Sequence, residues 1–190
     1  MVLSYYLSMN EFNSNWITEP IITVKFKQTH PDAILPRKNH SDPKTGDVGF
    51  DLFAVEDTII PETTTQHSVV GTTETGGSLF VHKTEIGNSL VPIGIKVADI
   101  TPGYWFRIEG RSGLGFAKGV QPHFGVIDNP YRGDLSIKLY NLTGKPVLIK
   151  KGQACAQFVV YKMYNVGVDW SIEVTETERG EKGFGSSDSK

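Results

Sequence analysis

The chain has 190 residues, 38% of them hydrophobic, which is enough to build one compact core. Its formal net charge of -2 gives no overall field that would attract nucleic acid or an anionic membrane. The single cysteine, Cys155, excludes an intrachain disulfide framework and a cysteine-based zinc site. No apolar run approaches membrane-spanning length and no secretory signal is apparent, so we expect a soluble cytoplasmic protein.

Short runs rich in Val, Ile, Phe, Tyr and Thr, separated by 20 glycines and 10 prolines, predict an all-β fold. The predicted strands, in chain order, cover residues 21–27, 51–55, 91–97, 103–108, 135–142, 146–149, 154–161 and 170–174. No long helical period is present, although residues 165–170 or the region near Gly115 could hold one helical turn.

Three segments are expected to be additions to the β core, which spans residues 21–174 and contains one of them as an insertion. Residues 1–20 hold several asparagines that favour turns, and they predict a peripheral extension. Residues 62–90 are rich in Thr, Gly and Ser, which predicts an excursion between two core strands, such as an added hairpin. The tail at residues 175–190 is rich in glycine and serine, so we expect it to become ordered only over a ligand.

Two glycine-rich segments place polar side chains in turns. In GDVGFDLFA, at residues 46–54, a glycine turn delivers Asp51 to the start of a strand, although this segment alone favours a capped turn with a solvated acid. In GRSGLG, at residues 110–115, small residues let backbone N–H groups converge beside Arg111 and Ser112. Such a segment can bind an anion, although its composition is also common in ordinary turns.

Two further segments combine a turn or strand with one distinctive side chain. In GVIDNPYRG, at residues 125–133, Asp128 could orient a water molecule and Tyr131 could present a flat face to a sugar. The alternative interpretations are that Asp128 only forms the turn and that Tyr131 only packs against the core. In GQACAQF, at residues 152–158, Gln157 lies within an apolar strand and must hydrogen-bond either the backbone or a ligand.

The fifth segment is RGEKGFGSS, at residues 179–187, in the tail. Its arginine, its glycine N–H groups and its two hydroxyls suit a terminal phosphate, and its aromatic ring could stack on a base. Composition alone favours a flexible linker.

Taken together and in this order, the five segments resemble the signature motifs of the trimeric dUTPase family, from about residue 21 to residue 187. The resemblance implies a distorted antiparallel β-barrel of jelly-roll type, assembled as a homotrimer. The first, second and fourth motifs of one subunit, the Asp128 hairpin of another and the tail of the third would share each active site. A monomer would then be inactive.

The resemblance also implies hydrolysis of dUTP to dUMP and pyrophosphate, by water attack on the α-phosphorus assisted by Mg²⁺. This reaction would supply dUMP and limit uracil incorporation into DNA. Asp128 would position the water, Tyr131 would pack against the deoxyribose and Asp51 would reach the metal through water. The substrate-binding residues implied are Arg111, Ser112, Gly113, Gly125, Val126, Ile127, Tyr131, Gln157, Arg179, Phe184, Gly185, Ser186 and Ser187.

Two rival functions stay open. The dCTP deaminases have segments that resemble the second and third motifs. Their reaction needs a glutamate on the strand after the hairpin, where this chain has Lys138. A nucleotide-binding regulatory protein would use the 62–90 segment to bind a protein partner. His67 and His82 lie in that segment without the spacing of a metal site, so they are interpreted as surface histidines. No direct nucleic-acid binding and no membrane contact are expected.

Overall fold

The computed structural model describes residues 22–181, which form twelve strands and one short helix. The strands are β1 (Val24–Gln28), β2 (Phe50–Phe53), β3 (Thr58–Ile60), β4 (Thr64–Thr72), β5 (Ser78–Glu85), β6 (Gly87–Ile100), β7 (Tyr104–Glu109), β8 (Val120–Pro122), β9 (Val126–Ile127), β10 (Asp134–Asn141), β11 (Val147–Ile149) and β12 (Ala154–Lys162). Helix α1 (Ser112–Lys118) lies between β7 and β8. No helix within residues 22–181 is long and apolar enough to cross a membrane.

Two four-stranded antiparallel sheets share one core. The first has the strand order β1-β6-β10-β8 and the second has the order β2-β12-β7-β9. Alternate residues of β10 are buried, as expected for strands with one face on a core. Phe26 of the first sheet meets Phe106 and Phe158 of the second in edge-to-face contacts, with ring centroids 6.2 and 5.7 Å apart. These contacts join the sheets into a single hydrophobic core.

The all-β prediction is confirmed, but no closed barrel is found among the described residues. Seven of the eight predicted strands correspond to observed strands with shifted ends. The largest shift concerns β6, which runs for 14 residues because β1 and β10 pair along different parts of it. The predicted helical turn near Gly115 is present as α1, whereas residues 165–170 form no helix.

The predicted strand at residues 170–174 is wrong. Residues 163–176 form neither helix nor strand, and the whole stretch from 163 to 181 is exposed. The side chains of Trp170 and Ile172 are 98% and 103% exposed. The local pattern is suited to a strand, but a strand needs a neighbour to satisfy its backbone groups. Among the described residues, no strand pairs with this segment.

Residues 64–85 form an antiparallel hairpin of β4 and β5, which pairs with no other strand of residues 22–181. All eight residues of β5 are exposed, so the hairpin stands away from the core. It rejoins the core at Gly87, where a Cβ atom would lie only 1.9 Å from the carbonyl oxygen of Pro61. Only glycine allows the two backbones to approach this closely. Residues 87–90 of the predicted excursion therefore belong to the core strand β6.

Candidate active site

A pocket of about 180 Å³ lies beside the start of α1, where the chain leaves the end of β7, and it is bordered by β2 and β12. The register of the second sheet creates it, because Gln157 of β12 lies opposite Asp51 of β2 on one side and Glu109 of β7 on the other. The GRSGLG segment begins directly after Glu109, so the first, second and fourth motifs converge here. We call this the polar pocket, and its lining residues are Asn39, Asp47, Gly49, Asp51, Arg111, Ser112 and Gln157.

A two-pronged ion pair between Asp51 and Arg111 forms the base of the polar pocket. Arg111 Nε lies 2.9 Å from Asp51 Oδ1, and a terminal guanidinium nitrogen donates to Oδ2 at 3.1 Å. The other terminal nitrogen donates to the Ala154 carbonyl at 3.1 Å, and Asn39 donates to Asp51 Oδ2. Three of the five guanidinium N–H groups are thus occupied. The guanidinium is held in one orientation with two N–H groups left to bind an anion.

Gln157 hydrogen-bonds the backbone, one of the two partners that its apolar surroundings predicted. Its side-chain nitrogen donates to the Gly110 carbonyl at 2.7 Å, which links β12 to the start of the GRSGLG turn. Gly49 lies against this amide, and a Cβ there would come within 2.0 Å of Gln157 Oε1. A glycine at position 49 is therefore needed to leave room for the glutamine.

Ser112 and Gly113 occupy the first turn of α1, and both are exposed. Ser112 lines the polar pocket, and a Cβ at Gly113 would meet no atom within 4 Å. The surface beside Arg111 is therefore open to a ligand, as the anion-binding interpretation of this turn requires.

Asp128 follows β9 at the start of a tight turn, in which the Tyr131 N–H donates to the Asp128 carbonyl at 3.0 Å. Both residues are exposed, Tyr131 to 41%, and the Tyr131 hydroxyl donates to the Asp134 carbonyl at 2.8 Å. The preceding Gly125 accepts a hydrogen bond from Ile108, while Val126 is exposed and Ile127 packs against the core.

Sequence reasoning missed the residue that anchors this turn. The side-chain nitrogen of Asn129 lies within 3.2 Å of the carbonyl oxygens of Ile100, Thr101 and Tyr104. The Asp128 turn, residues 128–132, is thereby attached to the end of β6 and the start of β7. An asparagine in the turn was the only available signal, since its partners are about 25 to 29 residues away in sequence.

The structure does not bring Asp128 into the polar pocket of its own chain. In the pairing of β9 with β7, Ile127 lies opposite Phe106, and Asn129 contacts Tyr104, so Asp128 lies near the beginning of β7. Arg111 follows the other end of β7. Six residues of extended chain separate the two positions, roughly 20 Å at the usual rise per residue.

The tail residues are only partly described. Arg179 lies in the exposed segment after β12. Phe184, Gly185, Ser186 and Ser187 fall outside the described residues, as do residues 1–20.

The residues of the polar pocket are compatible with an ion held mainly by a nucleotide. Within residues 22–181, no group of three or more His, Cys, Asp or Glu side chains could hold a metal by itself. Asp51 Oδ2 accepts two hydrogen bonds, whereas Oδ1 accepts one, from Arg111. Oδ1 therefore keeps a lone pair for a metal-bound water, which is how proteins commonly assist Mg²⁺ on a phosphate chain.

Comparisons with known proteins agree with this arrangement of motifs. The dUTPase family model matches residues 79–188. The chain is 33% identical over 164 residues to the deoxyuridine 5'-triphosphate nucleotidohydrolase of Clostridium kluyveri, a match that covers 84% of this chain and 94% of the relative. It is also 33% identical over 141 residues to the protein of the same description from Paramecium bursaria Chlorella virus 1, covering 74% and 83% of the two chains.

A solved structure shares the fold. The Staphylococcus bacteriophage 80alpha dUTPase with dUpNHpp superimposes with a TM-score of 0.65 at 23% identity, covering 86% of this chain and 97% of that one. The family model spans more than half of this chain, and the relatives are matched over most of their own length. On these grounds the chain belongs to the dUTPase family.

Proposed function

We propose that this chain hydrolyses dUTP to dUMP and pyrophosphate by water attack on the α-phosphorus. The observation that carries the proposal is the polar pocket, in which the buried Asp51 carboxylate fixes Arg111 in the lining of a cavity suited to an anion. The relatives named above are called deoxyuridine 5'-triphosphate nucleotidohydrolases, and the 80alpha structure holds dUpNHpp. The reaction would supply dUMP and limit uracil incorporation into DNA.

The triphosphate would bind in the polar pocket. The two unused N–H groups of Arg111, the hydroxyl of Ser112 and the adjoining backbone of Gly113 form its donors. Gln157 keeps the turn in place through its bond to Gly110. Mg²⁺, contacted through water by Asp51, would neutralise the triphosphate and the leaving pyrophosphate. A phage phi11 dUTPase is described with a structural Mg(II) ion.

The Asp128 turn would contribute the other half of the site. The Asp128 carboxylate accepts a hydrogen bond from the attacking water, and Tyr131 packs its ring on the deoxyribose. The backbone of Gly125, Val126 and Ile127 contacts the uracil. In the tail, Arg179, Gly185, Ser186 and Ser187 bind the terminal phosphate and Phe184 covers the base, which excludes water from the reacting phosphorus.

The active site would be shared between subunits of a homotrimer, because the two halves lie roughly 20 Å apart along one chain. The exposed segment after β12 supports this arrangement. Every second residue from 164 to 174 is apolar and at least 71% exposed, namely Tyr164, Val166, Val168, Trp170, Ile172 and Val174. Such an alternating apolar face is typical of a strand that packs on a neighbour, here another subunit, and this would carry the tail to its site.

We further propose a division of the chain into a β core at residues 21–174, an N-terminal extension at 1–20 and a closing tail at 175–190. The insertion predicted at about 62–90 would be narrowed to the part before β6, and its exposed hairpin at residues 64–85 is a surface on which a protein partner could bind. A deaminase function is disfavoured, because that reaction needs a carboxylate at the position of Lys138. The ammonium group of Lys138 lies over the Tyr140 ring.

Hydrolysis is tested by incubating the purified chain with dUTP and Mg²⁺ and measuring pyrophosphate release. The variant Asp128→Asn keeps the shape of the side chain but removes its basicity, so turnover should fall by about 10²- to 10⁴-fold while affinity for dUpNHpp is retained. Asp57→Asn is the matched control, since its carboxylate accepts from the Lys151 N–H far from these groups. Unchanged turnover in Asp128→Asn would remove Asp128 from catalysis, and tight binding without turnover in the wild type would favour a binding protein.

Sharing between subunits is tested by mixing two inactive variants, Asp128→Asn and Arg111→Ala. If each site takes Arg111 from one chain and Asp128 from another, about a quarter of the sites in randomly mixed oligomers have both wild-type groups. Activity should therefore reappear after the two variants are unfolded and refolded together. No recovery, with mixed oligomers demonstrated by mass, would place both groups of each site on one chain.

A further inference from the structure

Two histidines face each other on the exposed hairpin, outside the polar pocket and the Asp128 turn. His67 of β4 and His82 of β5 are direct partners in the strand register, and their Nδ1 atoms lie 2.5 Å apart. The ring planes are nearly perpendicular, with centroids 4.6 Å apart. The two residues are 15 positions apart in sequence, so only the pairing of the strands brings them together.

This contact leaves at least one ring nitrogen with a lone pair directed at the other ring. Two Nδ1 atoms at 2.5 Å cannot both bear protons. A metal cation can take the place of the single shared proton, because it accepts an electron pair from each of the two nitrogens. Imidazole nitrogens are ligands for Zn²⁺, Ni²⁺ and Cu²⁺, whereas Mg²⁺ prefers oxygen. The pair is therefore suited to a different class of metal from the one that accompanies a nucleotide.

The strands on both sides keep the two rings in register. The next pairs on the same face of the hairpin are Thr65 with Thr84, whose hydroxyl oxygens lie 3.1 Å apart, and Val69 with Phe80. The charged neighbour Lys83 lies on the opposite face, where its ammonium group contacts Glu85 at 2.6 Å. No cation of the hairpin therefore competes for the space between the rings.

From this geometry we infer that His67 and His82 form a binding site for a transition-metal ion of the Zn²⁺ class. Two nitrogens bound to one tetrahedral Zn²⁺ are about 3.3 Å apart, given Zn–N bonds of about 2.0 to 2.1 Å. A small rotation of the two exposed rings, opening their separation by less than about 1 Å, accommodates the ion. Water molecules or a ligand from outside the chain complete the coordination, because the described residues place no third His, Cys, Asp or Glu in the group.

Binding would link β4 to β5 across the hairpin. An isolated two-stranded hairpin is marginally stable in water, so a metal cross-link between facing side chains should reduce its local opening. This site is independent of dUTP hydrolysis.

The test is equilibrium dialysis of the tag-free, full-length protein against ZnCl₂, with bound metal measured by mass spectrometry. The wild type should bind one more Zn²⁺ per chain than the double variant His67→Asn/His82→Asn, which retains any background binding by other surface groups. Each single variant should bind at least about tenfold more weakly, since even the loss of a group that only hydrogen-bonds a metal ligand weakens metal binding that much. His30→Asn is the control and should bind like the wild type, because His30 contacts Asp32 away from the hairpin.

Hydrogen exchange provides a second readout that does not depend on the folding of a variant. In the wild type, ZnCl₂ should slow amide exchange in residues 64–85 and leave the core strands unchanged, whereas MgCl₂ should have no effect on the hairpin. Equal Zn²⁺ binding by the wild type and the double variant, or unchanged exchange in residues 64–85 with Zn²⁺, overturns the proposal.

Discussion

The polar pocket and the Asp128 turn are both attached firmly to the core, but in opposite ways. In the polar pocket the residues assigned to the ligand are themselves part of the internal bonding, as Asp51, Arg111 and Gln157 show. In the Asp128 turn the internal bonding is made by Asn129 and by the Tyr131 hydroxyl, while the side chain of Asp128 is exposed.

This difference shows where each group finds its partners. Side chains bonded within the chain are preorganised before any ligand arrives, whereas side chains that face outward are positioned for something beyond the chain. The first arrangement suits the grip on a strongly charged triphosphate. The second suits a contribution to a site on a neighbouring subunit, which is the arrangement proposed above.

The largest expected effect comes from breaking the ion pair of the polar pocket. Asp51→Ala leaves the Arg111 guanidinium without its counterion, so the free energy of unfolding should fall by about 3 kcal/mol and dUTP turnover should be lost. Urea denaturation and a pyrophosphate assay measure the two effects. Glu109→Ala is the matched control, because its pair with Arg107 is more exposed and should be worth less than about 1 kcal/mol. Equal losses in the two variants would contradict a preorganised pocket.

A smaller effect is expected from loosening the Asp128 turn. Asn129→Ala removes the contacts to three backbone carbonyls, so the free energy of unfolding should fall by about 2 kcal/mol. If the anchor serves to position Asp128, kcat should fall roughly 100-fold with little change in KM. Asn88→Ala, which removes a single exposed bond to the Ile86 carbonyl, is the control. If the variant is destabilised but keeps the wild-type kcat, the Asn129 contacts stabilise the turn without positioning Asp128.

The smallest effect near neutral pH concerns Cys155, whose side chain is fully buried on β12 next to Ala154, the residue whose carbonyl binds Arg111. Burial raises the pKa of the Cys155 thiol from 9.0 to about 12. The folded chain therefore holds this proton when the unfolded chain has lost it, and stability should decline as the pH rises from about 9 towards about 12. Comparison with Cys155→Ala in urea titrations isolates this component from other groups. Rapid alkylation of the native thiol at pH 8 would contradict its burial.

Much of the fold follows from local pattern, and the exceptions share a cause. Runs of β-branched and aromatic residues located the β10 and β12 regions closely, and in β10 alternate residues are buried, as a half-buried strand requires. Residues 170–174 carry the same kind of pattern and form no strand, since the pattern records what a strand would bury and not whether a partner is present. Asn129 was missed for a related reason, as a turn asparagine does not reveal which distant carbonyls it binds.

The sequence by itself determined the all-β class, the identity and order of the five motif segments, and the residue types available for phosphate, sugar and water. Only the tertiary structure decided which of these residues meet. The register of β12 against β2 and β7 brings Gln157, Asp51 and Arg111 together, the pairing of β9 leaves Asp128 at the far end of β7, and the hairpin aligns His67 with His82. Register and strand order depend on contacts between residues distant in sequence, which local patterns do not encode.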